Sequence, residues 1–172
     1  MSLFPVDFDA FALVAQQAAE AVAEPKVDAA FVIRVLSRVF HIMFAIIIGG
    51  GLFYLRAVLA PAGADACFAG RRAVWARWVG VATLFLIVTG MFNYITFVRE
   101  AKAAGAPLPS PYHMLFGIKF LLALFVFFVA AILAGKTSLA DKFRGNMGRW
   151  LNLAWTAVMA IIIIGALMRT YH

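Results

Sequence analysis

Residues 38–56 read RVFHIMFAIIIGGGLFYLR, and between the two arginines His41 is the one basic side chain. A run this apolar, extended on both sides to about Arg34–Leu59, reaches the ~20 residues a helix needs to cross a bilayer. The run therefore predicts a membrane span, and His41 stands inside it. Three further runs of the same kind follow, at about Trp75–Val98, Tyr112–Ala134 and Trp150–Tyr171. A backbone in lipid must satisfy its own hydrogen bonds, so each run is expected to be helical. The proline-bearing stretches APAGAD and GAPLPSP separate the spans, and the third ends at AGKTS. Trp75, Trp78, Tyr94, Tyr112, Trp150 and Tyr171 gather at span ends, where amphipathic rings suit the interface.

Composition agrees. The chain is 65% hydrophobic and 13% charged, against roughly 25% charged in soluble domains. The excess of basic residues lies beside apolar runs rather than in a polar patch, which argues against a nucleic-acid partner. Cys67, the one cysteine, rules out an internal disulfide or a multi-cysteine metal centre, and AGADACFAGRR around it reads as a loop. The first 25 residues lack the basic start and long apolar core of a secretory signal, so they are expected to stay on the mature protein.

These features predict an all-α integral membrane protein: an antiparallel bundle of four transmembrane helices (31–172) behind an extracytoplasmic segment (1–30). Within that segment, Phe8, Phe11, Ala12, Ala15, Ala19 and Val22 recur at helical spacing, which predicts a short amphipathic helix over 8–23. Its polar face is acidic, unlike a lipid anchor, and suits the bundle mouth or a neighbouring subunit. Arg71, Arg72 and Arg77 follow the first span, and Lys136, Lys142, Arg144 and Arg149 follow the third. The positive-inside rule then puts both termini outside a bacterial inner membrane.

No nucleotide-binding, hydrolase or zinc-protease motif is present. Chemistry must come from polar residues within the spans, which are costly in lipid. Counted from one membrane surface, His41 and Lys119 lie about seven and eight residues deep, or ~10 and ~12 Å. Asn93 and Arg169, near the outer ends of their spans, would complete a polar ring. Two readings stay open for the pair. Lys119 can snorkel to the headgroups while His41 is a neutral imidazole with one partner, or both face a shared ligand. His113 falls at the boundary beside Tyr112, reaching the interior only through a bend after Pro111, and His172 ends the sequence.

Imidazole is a ligand for haem iron and for copper. For haem b, His41 would be axial, with Lys119 a second ligand or polar partner. Phe40, Phe44, Phe116 and Phe120 would form the slot, and Arg38, Arg99 or Arg169 would meet the propionates. Copper(I) would draw on Met43, Met91, Met114 and Met168, which share no one-face spacing. A subunit without cofactor is the third alternative. The glycines at 49–51, 80, 90, 117 and 165 point to close packing.

The pattern H-x7-GGGLFYLR from His41 to Arg56, with GIKFLL around Lys119, resembles the copper-resistance protein D family and the haem-dependent membrane protoporphyrinogen IX oxidases. The resemblance covers spans one to three. It implies roles in haem binding and activity for His41 and Lys119. The sequence departs from the oxidase pattern in lacking a proline before Arg56 and the later histidines. What the resemblance implies is thus a haem-binding or copper-handling relative, an oxidoreductase or electron carrier, acting with a redox partner or as a homo-oligomer.

Overall fold

A computed structural model of the protein describes residues 28–60 and 65–171. The helix expected over 8–23 and the terminal His172 lie outside the described residues. The chain divides into two compact units, Met1–Ile33 and Arg34–His172. Of the first, the described part is the start of a helix. There Asp28 Oδ1 accepts from the Phe31 backbone N–H at 2.7 Å, satisfying one of the donors a helix start leaves free.

That helix, α1, runs Ala29–Tyr54 and passes into a π-helical turn, Leu55–Leu59, where Ala60 N–H reaches Leu55 O at 2.9 Å. It is followed by α2 (Asp65–Ala103), α3 (Ser110–Ala134), the short α4 (Ser138–Gly145), α5 (Met147–Met168) and a 3-10 turn, Arg169–Tyr171. All the regular structure among the described residues is helical. The segments Ala29–Leu59, Phe68–Ala103, Ser110–Ala134 and Met147–Tyr171 are long and apolar enough to cross a membrane.

Two boundaries differ from the sequence reading. The first helix begins at Ala29 rather than Arg34, because residues 29–33 (AAFVI) continue the apolar run. The segment expected as a loop around Cys67 is helical from Asp65, so Arg71, Arg72 and Arg77 ride on α2 itself. A span's apolar length marks where it meets lipid; backbone hydrogen bonding continues past that point wherever residues such as Ala and Arg favour helix. The stretch after α3 also holds α4. Thr137 Oγ1 caps α4 by accepting from Ala140 N–H at 3.2 Å.

The core lies between the long helices. Leu52, Val129, Ala130, Leu133, Leu151 and Ala154 are fully buried, with Phe44, Ile48, Val79 and Ala82 beside them. Large apolar side chains also cover the outside: Leu84, Met114, Leu121 and Ile46 are each more than 60% exposed. A bundle apolar on both its inner and outer surfaces suits lipid as its solvent. Contacts between α1 and α2 run from Arg34–Glu100 through His41–Thr89 and Phe44–Phe85. Farther along, a Cβ on Gly51 would overlap the Trp75 ring, so the indole lies directly on the helix backbone. α1 meets α5 through Phe53–Trp155, the π-helical turn meets it through Arg56–Asn152, and α3 packs along both α2 and α5.

Candidate functional site

His41 is half-buried on the face of α1 that turns toward α2. Its Nδ1 lies 2.9 Å from Thr89 Oγ1. The Thr89 hydroxyl in turn donates to Phe85 O, one turn back on its own helix, at 2.5 Å. A hydroxyl has one proton to give. With that proton on Phe85 O, Thr89 Oγ1 receives the Nδ1–H of His41, and Nε2 keeps its lone pair. The ring lies against Gly90, where a Cβ would stand 3.1 Å from His41 Cε1. Phe44 stacks on Phe85 with centroids 4.5 Å apart, and Phe40 tilts toward the same ring at 6.0 Å.

Lys119 is half-buried on α3. Its Nζ rests over α5, 3.3 Å from where a Cβ on Gly165 would be, and it has no hydrogen-bond or ion-pair partner among the described residues. The two residues singled out by depth are reached from different helices, His41 seated beside Gly90 of α2 and Lys119 beside Gly165 of α5.

The other expected site residues go elsewhere. Arg38 and Arg169 are exposed and have no hydrogen bond or ion pair among the described residues. His113 is exposed and bonds through Nδ1 to the Tyr94 hydroxyl at 2.7 Å. Tyr94 stacks on Phe116 at 3.7 Å, and Phe116 on Phe120 at 6.2 Å, so these rings build an aromatic cluster with Tyr112 and Tyr171. His113 belongs to that cluster, as its boundary position suggests. Along α2, Thr89 lies five residues from Tyr94; along α3, Lys119 lies six from His113. The rises are ~7.5 and ~9 Å from one shared hydrogen bond.

The copper alternative gains no ligand set: among the described residues no three His, Cys, Asp or Glu side chains converge. Met114 is 61% exposed while Met168 is buried. A groove of about 530 Å³ between α2 and α3 is lined by Ala76, Gly80, Thr83, Phe127, Phe128 and Ala131, away from His41.

No family model, curated protein or solved structure matches this chain. The site must be read from its own chemistry.

Two participants were not picked out by the sequence. Thr89 carries the partner oxygen for His41; its only signal was a hydroxyl in an apolar run, beside a glycine. Ser37 is 9% exposed, one turn from His41, and its hydroxyl has no hydrogen-bond partner among the described residues.

Proposed function

We propose that this chain is an integral membrane haem b protein with a redox or electron-transfer role, in which His41 would hold the haem iron. The observation that carries the reading is the His41 Nδ1–Thr89 Oγ1–Phe85 O relay, which assigns the proton to Nδ1 and leaves Nε2 as a lone-pair donor. Ligating histidines characteristically give their other N–H to a protein acceptor, which orients the ring and strengthens the donor nitrogen. The surroundings suit a flat apolar group. Gly90, having no side chain, lets the imidazole lie against α2, and Phe40, Phe44 and Phe85 make its surroundings aromatic. Haem b, when bound, supplies one-electron chemistry. Lys119, which reaches over α5 at Gly165, would supply a polar, basic amine to the site from α3.

The arrangement proposed for the bundle is up–down–up–down with antiparallel neighbours. The order of contacts between α1 and α2, from Arg34–Glu100 to Gly51–Trp75, supports it. The basic residues after the first and third spans support a bacterial inner-membrane location with both termini outside.

The test is the absorption spectrum of detergent-purified protein expressed with ample haem, as isolated and after dithionite. The expected result is a Soret band that sharpens and shifts on reduction and is lost in His41→Ala while the variant still folds. A featureless spectrum, or a His41→Ala variant that retains the band, overturns the haem reading.

A further inference from the structure

Basic residues gather on the first turns of α2 and around α4: Arg71, Arg72, Arg77, Lys136, Lys142, Arg144 and Arg149. Of these, Arg72 and Arg144 are half-buried and the others are exposed. The same two line one cavity of about 260 Å³, together with Phe68, Ala69 and Gly145. A solvated basic face gives its cations no reason to share an inward space. Two guanidiniums there repel, and an anion between them relieves the repulsion.

The donors of the cavity are not exhausted. Arg144 donates through Nη1 to Leu133 O and Gly135 O and through Nη2 to Asp141. A guanidinium has five N–H groups, so two remain. Asp141 offsets the charge of Arg144, but Arg72 has no ion pair or hydrogen bond among the described residues. Its Nε is packed away without a partner, which leaves the terminal nitrogens to meet a ligand. The cavity thus keeps one uncompensated positive charge on a planar fork that suits phosphate oxygens.

The neighbouring groove says what carries the phosphate. The space of about 530 Å³ between α2 and α3 reaches Gly135, whose carbonyl accepts from Arg144 at 2.7 Å. On the other wall it starts at Ala76, one turn along α2 from Arg72. Its apolar lining runs along α3 from Leu124 to Gly135, a rise of ~16 Å. That is about one leaflet of the ~30 Å hydrocarbon core. Gly80 leaves the wall open, since a Cβ there would meet nothing within 4 Å. An apolar groove one leaflet long, with a cationic cavity at its end, matches a phosphate that bears acyl chains.

We propose that Arg72 and Arg144 hold the phosphate of an anionic phospholipid whose acyl chain lies in the groove between α2 and α3. A zwitterionic lipid fits less well, because its ammonium would meet the same guanidiniums. The site stands whether or not His41 binds haem, so the two readings fail separately.

Native mass spectrometry tests it, on full-length protein released from detergent micelles that contain chain-matched phosphatidylglycerol or phosphatidylcholine. One phosphatidylglycerol should be held at least about tenfold more tightly than phosphatidylcholine, the effect of one charge-assisted hydrogen bond. Arg72→Gln should abolish that preference, and Arg71→Gln, at the exposed neighbour, should keep it. Gly80→Leu, which places a side chain in the groove, should weaken phosphatidylglycerol binding by a similar factor without lowering the unfolding temperature. Equal retention of the two lipids by the unsubstituted protein overturns the proposal without recourse to any variant. An equal loss in Arg71→Gln and Arg72→Gln would mean diffuse surface attraction. Full binding in Gly80→Leu would mean a phosphate held without its chain. Either outcome also overturns the site.

Discussion

His41 Nδ1 and Thr89 Oγ1 stand 2.9 Å apart, and the Thr89 proton is already committed to Phe85 O. This relay decides which imidazole nitrogen is available, so it is also the most direct place to perturb the site. Thr89→Val keeps the shape and removes the acceptor. It should weaken haem retention about 10–100-fold, the usual effect of deleting a ligand's hydrogen-bond partner. It should also lower stability by about 1–3 kcal/mol for the orphaned N–H. Thr89→Ser should restore both. Titration of haem into apoprotein, with thermal unfolding of the same samples, checks the pair; an unchanged affinity in Thr89→Val would separate the relay from the ligand.

Gly90 and Gly80 make a matched comparison on one helix. A Cβ at Gly90 would come within 3.1 Å of the His41 ring, whereas at Gly80 nothing lies within 4 Å. Gly90→Ala should push the imidazole off Thr89, broadening or shifting the Soret band and weakening haem binding. Gly80→Ala should leave the spectrum unchanged, and by helix propensity it gains up to about 1 kcal/mol. Absorption spectra and unfolding temperatures of the two variants, measured side by side, check this. Equal spectra would show that the ring does not depend on that contact.

The four spans were legible because ~20 apolar residues in lipid have one regular solution, the helix. Their ends were less so: AAFVI before Arg34 and DACFAGRR before Trp75 extend helices beyond the stretches that stood out as apolar. Depth counting found His41 and Lys119, since an ionisable group within a span is rare and easily seen. It did not find Thr89 or Ser37, whose hydroxyls are common in membrane helices and acquire meaning only from what they face. Arg38 illustrates the converse. It is nearer than Ser37 to His41 in sequence, yet Ser37 is buried and Arg38 exposed. A difference of one residue turns a side chain ~100° around the helix.

Lys119 has no hydrogen-bond or ion-pair partner among the described residues, and an unpaired basic group at the centre of a span costs about 2.5–3.5 kcal/mol on insertion scales. Lys119→Met should therefore raise the unfolding temperature in detergent while impairing the site, the trade expected where function holds a costly group in place. Unfolding curves together with the reduced spectrum and midpoint potential of the variant check it. A lower unfolding temperature would mean that the amine is stabilised where it stands, and the exchange of stability for function would not hold.

Arg144 ties α4 to the end of α3. Its Nη1 donates to Gly135 O at 2.7 Å and Leu133 O at 3.2 Å, and Nη2 pairs with Asp141. The last carbonyls of a helix lack partners within it and carry partial negative charge, so a guanidinium there is doubly favourable. Hydrogen bonds to charged groups are worth about 1.5–3 kcal/mol each, though two on one side chain do not simply add. Arg144→Gln should lower stability by about 2–3 kcal/mol, whereas Arg149→Gln, at an exposed position without such bonds among the described residues, should change it by less than about 0.5 kcal/mol. Thermal unfolding of both variants in one detergent distinguishes them. Because α4 is remote from His41 in the bundle, the Soret band should be unaltered in Arg144→Gln. A loss of haem there would show that the end of α3 is coupled to the His41–Lys119 site.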